Sequence, residues 1–234
     1  MRKHKLVLDN IYHIYNRGVE KRHIFTDHND YKRFTLNLAL FNDQRPVLNL
    51  GRFYKSEHMV NSFSQGNDRR KPLVDILAFC LMPNHYHLLL KPVVENGITE
   101  FMRKLGTGYV NYFNLKYGRV GTLFQGKFKS VLIDDESQFL YISHYIHLNP
   151  LDLITSRWRE NGIKDKKQAI KFLDDYQWSS YIDYRGSQCH PFILNKNAIV
   201  EYFGDEDDYS KNFYEFINDL DFISTSDLLI DNRS

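Results

Sequence analysis

From Leu73 to Met82 the chain is almost wholly apolar; Pro83-Asn84 interrupts it, and His85 to Lys91 is again strand-like. Two short apolar runs around a Pro-Asn turn predict an antiparallel β-hairpin. So greasy a hairpin must lie inside a core, and the other elements have to cover it. Upstream, Asn10 to Arg17 (NIYHIYNR) is rich in Ile and Tyr and reads as a first strand ended by Gly18. Thr26 or Asp27 can cap a helix from about Asn29 to Phe41, where Tyr31, Phe34, Leu38 and Phe41 recur on a helical period. Downstream, a second helix is predicted from about Thr99 to Lys116 and a fourth strand from Gly126 to Ile133. A third helix, capped by Asp134 or Asp135, is expected to end before Pro150.

Strand, helix, strand, strand, helix, strand is the split βαβ order of ferredoxin-like folds. The expected class is therefore α+β: a βαββαβ antiparallel sheet with helices on one face, followed by a mostly helical C-terminal extension. The expected division is 1–157 for the catalytic unit, with an insertion at 42–72, and 158–234 for the extension. In such a sheet the first strand lies beside the third, which would bring His13 near His85 and His87.

With 234 residues the chain can bury a sizeable core. No apolar run approaches the roughly 18 to 20 residues that span a bilayer, and the opening MRKHKLVLDNIYH lacks the apolar stretch of a secretory signal. Cys80 and Cys189 are the only cysteines, which fits a reducing compartment better than a disulfide framework. The expected location is cytoplasmic. The net charge of +2 conceals an asymmetry. Residues 201–234 hold ten acidic side chains against Lys211 and Arg233, so the first 200 residues carry about +10. A basic body with an acidic tail suits a polyanionic partner, although a solvated tail on an ordinary basic surface has the same composition.

Three groups of residues can carry chemistry. In His85-Tyr86-His87 the two imidazoles are two apart on a strand, so they project from one face. They form a ready ligand pair for a metal that one or two oxygen donors would complete; rings that each bond a backbone carbonyl are the structural alternative. In the third helix Tyr141, Tyr145 and Asn149 are spaced i, i+4, i+8, with His144 and His147 alongside. A tyrosine near a divalent cation can attack a phosphodiester, but spacing gives Tyr145 no privilege over Tyr141. Between Phe101 and Ile133 there is no acidic residue, while Arg103, Lys104, Lys116, Arg119, Lys127 and Lys129 alternate with Tyr109, Tyr112, Phe113, Tyr117, Phe124 and Phe128. Cations and stacking rings together suit single-stranded or hairpin nucleic acid. Several of those rings are equally expected in the buried face of the second helix, with the glycine-bearing loop Gly118 to Lys129 facing nucleic acid.

Five pieces in register, YHIYNRG, AFCLMPNHYHLLL, GTLFQGKFKS, HYIHLNPL and WSSY at 178–181, make the chain resemble the single-tyrosine HUH transposases, specifically the REP-associated tyrosine branch of the IS200-like transposases. The resemblance spans roughly residues 10 to 185. It implies a metal-dependent enzyme that nicks and transfers single-stranded DNA near a hairpin through a 5′-phosphotyrosine. His85 and His87 would hold Mg²⁺ or Mn²⁺, Tyr145 would be the nucleophile, and Asn149 would add a further metal donor. Pro150 biases Asn149 away from helical geometry. His13 matches a first-strand histidine of the family and receives no role. Two readings compete: a metal-dependent nuclease with no covalent intermediate, using His144 or His147 beside the pair, and a domesticated hairpin-binding module. Single-stranded or hairpin DNA is the expected partner, no membrane is, and assembly as a homodimer stays open. The long 42–72 stretch and the acidic tail depart from the family pattern.

Overall fold

The computed structural model describes residues 5–47, 70–155 and 157–220. Most of the 42–72 insertion and the end of the acidic tail lie outside them. Four strands, β1 (Ile11–Arg17), β2 (Val74–Met82), β3 (His85–Pro92) and β4 (Lys129–Ile133), form one antiparallel sheet in the order β2-β3-β1-β4. With α1 (His28–Leu40) after β1 and α2 (Gly97–Lys116) after β3, this is the expected ferredoxin-like arrangement.

Local chemistry sets the helix starts. Asp27, rather than Thr26, caps α1: its carboxylate accepts from the Asn29 and Asp30 amides, and Asp30 returns a bond to the Asp27 amide. Asp135 caps α3 (Glu136–Leu148) by accepting from the Gln138 amide. β4 begins at Lys129 rather than at Gly126, because the preceding residues pair with the end of β1. Gln125 donates to the Arg17 carbonyl, Phe124 bridges Gly18, and Gly126 turns the chain at φ +84°. α3 ends at Leu148, before Pro150 as expected, but the chain does not leave helical geometry there. Asn149 stays helical (φ −50°, ψ −39°) and Pro150 enters a 3₁₀ turn over Asn149–Leu153. The helical Asn149 is held by its own side chain, whose amide donates to the Tyr145 carbonyl at 2.8 Å.

The sheet separates two cores. On one face Tyr12, Ile14, Phe79, Leu81, Leu88 and Leu90 pack against Phe34 and Leu38 of α1 and Phe101, Leu105 and Tyr109 of α2. On the other face Ala78, Cys80, Met82 and Leu89 meet Ile142, Tyr145 and Ile146 of α3. A bulge between Ile76 and Ala78 turns both Leu77 and Ala78 to this second face. The two helices of the ferredoxin-like unit thus share one face, as expected, and α3 with the extension covers the other.

The extension comprises α4 (Trp158–Asn161), α5 (Lys166–Asp175), α6 (Tyr181–Tyr184), α7 (Asn197–Phe203) and α8 (Glu206–Asp219). It closes the exposed edge of β2, a feature that unprotected sheets pair promiscuously. Leu81 donates to the Trp178 carbonyl, Ser180 to the Phe79 carbonyl and Asn195 to the Ile76 carbonyl. This assigns the WSSY segment a structural task. The Ser180 hydroxyl accepts from the Phe79 amide (2.8 Å), donates to its carbonyl (3.1 Å) and meets His147 Nε2 at 2.7 Å, so its one donor and two acceptor sites are all in use. No helix among the described residues is long and apolar enough to cross a membrane.

Candidate active site

Register places the chemistry. Residues opposed across a ladder share a face, and Tyr15 opposes both His87 on β3 and Lys129 on β4, while Arg17 opposes His85. His13, Tyr15 and Arg17 alternate onto that same face of β1. It is the face covered by α3, so the α3 tyrosine and the two histidines converge. The Tyr145 ring stands edge-on to His87 with centroids 5.9 Å apart, and to His13 at 6.4 Å. The His85 and His87 rings are 5.0 Å apart and perpendicular. Sheet and helix belong to one chain, and no second copy is needed to assemble the group.

Hydrogen bonds fix the rings. His13 Nε2 lies 2.8 Å from His87 Nδ1, both side chains being fully buried, and Asn84 Oδ1 lies 2.6 Å from His85 Nδ1. His87 is held neutral: burial pushes its basicity well below the ordinary imidazole value, and the neighbouring His85 and Arg159 charges push the same way. Neutral imidazole is the form that ligates a cation.

Tyr141 stacks on Tyr145 at 6.1 Å but reaches Phe216 of the extension on its other side. Of the two helical tyrosines it is Tyr145 that faces the imidazoles. Asn149 lies one turn further on; its side-chain oxygen Oδ1 accepts from Arg159 at 3.1 Å. His144 and His147 turn the opposite way. His144 sits among Phe203, Tyr209, Phe213 and Phe216, and His147 bonds Tyr209 and Ser180. Neither joins the His85–His87 pair as a ligand, which removes the donor set of the rival hydrolytic reading. Among the described residues there is no group of three or more His, Cys, Asp or Glu side chains placed to hold a metal.

The basic segment divides. Lys116 is bound to Asp27 and to the fully buried Asp30, Lys104 reaches the backbone carbonyls of Asp43 and Arg45, and Arg103 pairs with Glu100. Arg119 stacks over Phe113, Phe124 packs half-buried against Tyr86 and Tyr109, and Lys127 is exposed. Lys129 is exposed on the face that carries His85 and His87, its ammonium 6.0 Å from the centre of the Tyr15 ring. Three residues of this site escaped sequence reasoning. Tyr15 and Arg17 have a legible signal, the period-2 alternation from His13. Arg159, whose guanidinium lies 5.2 Å from the Tyr145 ring centre and also binds Asp152, has none, because it arrives from the extension.

Residues 55–149 match the family model described as Transposase IS200 like. Over this stretch the chain is similar to the IS200-like transposases, in agreement with the resemblance read from the motifs. The matched stretch takes in His85, His87, Tyr145 and Asn149 and leaves His13, Arg17 and Arg159 outside it. Among solved structures, a REP-associated tyrosine transposase bound to a REP hairpin aligns at 11% identity with a TM-score of 0.47, over 83% of this chain and 90% of that one. A search of curated proteins finds no match.

Proposed function

We propose that this IS200-like chain cuts and rejoins single-stranded DNA, with the Tyr145 hydroxyl as nucleophile and a divalent cation, Mg²⁺ or Mn²⁺, held by His85 and His87. The observation that carries the reading is the meeting of the Tyr145 ring with the His87 and His13 rings inside one chain. The donor set fits such a cation in part: two imidazoles on one strand face, with the remaining positions left to oxygen donors from DNA phosphate and water. Asn149 would be a third protein donor through Oδ1, which also accepts from Arg159. Bound there, the cation would polarise the scissile phosphate and offset the charge that develops on it.

The chain's own residues do the rest. The phenol oxygen of Tyr145 attacks phosphorus, forms a 5′-phosphotyrosine and expels the 3′-oxygen, which leaves as a hydroxyl. Attack by a second 3′-hydroxyl reverses the step, and the bond energy is kept throughout. Tyr145 is only 1% exposed, and Arg159 covers its ring, so a DNA strand gains access when the segment around Arg159 moves aside. Lys129, Lys127, Arg119 and Arg17 offer cations to the backbone, with Tyr15 and Phe124 as stacking surfaces. Arg103, Lys104 and Lys116 would contribute to the field from within their ion pairs and backbone bonds. The catalytic unit would be 1–157, with 158–234 as its buttress.

The burial of Tyr145 also favours a second reading, a hairpin-binding module that does not cut. A labelled single-stranded hairpin DNA incubated with the protein and Mn²⁺, then run on a denaturing gel, decides between them. A covalent adduct is expected that vanishes in Tyr145→Phe and with a chelator. Cleavage that survives Tyr145→Phe would mean hydrolysis by water, and DNA binding with no cleavage at all would leave the binding module.

A further inference from the structure

His13 is fully buried and bonded to a candidate metal ligand, yet the proposed chemistry gives it no task. A metal-binding histidine coordinates through one ring nitrogen, and the bond made by the other nitrogen sets its tautomer and the plane of the ring. In the candidate pair both Nδ1 atoms are engaged by neighbours: His87 Nδ1 with His13 Nε2 at 2.8 Å, and His85 Nδ1 with the Asn84 side-chain oxygen at 2.6 Å. An amide oxygen can only accept, so His85 donates from Nδ1 and its ring lone pair sits on Nε2. If His87 does the same, the pair presents two matching Nε2 lone pairs from one strand face.

We propose that His13 and Asn84 are positioning residues for the cation site: they accept the Nδ1–H of His87 and of His85 and so direct both Nε2 atoms to the metal. The inference rests on the metal reading above. The His13 and His87 planes differ by only 14°, which suits a bond made edge to edge in the plane of both rings. His13 is in turn fixed by stacking on Tyr15, with centroids 5.1 Å apart and planes 24° apart. The strand register supplies the contact, because His13 and His87 alternate onto one face of neighbouring strands. Asn84, the second residue of the hairpin turn, needs no such long-range placement.

Two measurements on the full chain test this. In the metal-free protein, long-range proton–nitrogen NMR correlations should show His85 and His87 as Nδ1–H tautomers; an Nε2–H tautomer at His87 would overturn the role given to His13. In calorimetric titration with Mn²⁺ alone, His13→Ala and Asn84→Ala should each bind roughly 10- to 100-fold more weakly. His13→Gln, whose side-chain amide can reach the position of Nε2, should recover most of the loss. Wild-type affinity in both alanine variants, with binding abolished in His85→Ala/His87→Ala, would sink this inference and leave the metal reading standing. Binding retained in that double variant would sink the metal reading itself.

Discussion

Replacing His144 by phenylalanine should make the protein more resistant to acid. The ring is buried among Phe203, Tyr209, Phe213 and Phe216, and burial pushes its basicity from the ordinary 6.5 down to about 3. A base whose affinity for protons is depressed in the folded state contributes stability above the unfolded value and loses it as the pH falls. Below pH 6.5 the unfolded chain takes up a proton that the folded chain refuses, so folding weakens by about 1.4 kcal/mol per pH unit. The loss continues down to pH about 3. At pH 4.5 this one residue therefore costs about 3 kcal/mol, a large share of a typical domain's stability. Phenylalanine matches the aromatic shape and carries no proton, so His144→Phe should be within about 1 kcal/mol of wild type at pH 7.5 and clearly more stable at pH 4.5. Urea denaturation across this range measures both, and the difference between the two proteins isolates His144 from the similarly buried His147. Equal slopes of stability against pH would refute the reasoning, since a solvated or ion-paired His144 would behave that way.

Three further substitutions separate structural from DNA-facing roles. Lys116→Met leaves the buried Asp30 carboxylate with its tyrosine and amide donors but no cation, and should cost about 3 kcal/mol in denaturation. Lys129→Ala should leave the melting temperature unchanged while weakening hairpin-DNA binding and lowering its salt dependence by about one counterion. Ser180→Ala leaves the Phe79 amide and His147 Nε2 without their hydroxyl partner and should cost about 2–3 kcal/mol in thermal or urea unfolding. A loss below about 0.5 kcal/mol would mean that the WSSY segment is not what fastens the extension to β2.

Much of this molecule was legible because its rules are local. Pro83-Asn84 between two apolar runs gave the hairpin, and a period of two put His85 and His87 on one face. Thr26-Asp27 and Asp134-Asp135 marked the helix starts because a cap acts within three residues, and the structure chose Asp27 and Asp135. Where a partner lies far away, the local pattern misled. The fourth strand is shorter than its apolar pattern suggests because its first residues hold the end of β1 instead. Lys116 resembles any exposed lysine of a basic segment until the fold brings Asp27 and Asp30 to it from nearly ninety positions upstream. Asn149 keeps a helical backbone before proline because its side chain is tied to Tyr145 and Arg159.

The sequence by itself determined the order of the elements, the side-by-side histidines and the resemblance to IS200-like transposases, all encoded in neighbouring residues or in motifs a few residues long. Only the tertiary structure decided that Tyr145 rather than Tyr141 meets those histidines, that His13 bonds His87, and that Arg159 lies over the tyrosine. Helical spacing leaves the direction of a side chain open until something packs against it. Here the sheet claimed one side of α3 and the extension the other, and that division sent Tyr145 to the imidazoles and His144 and His147 away from them.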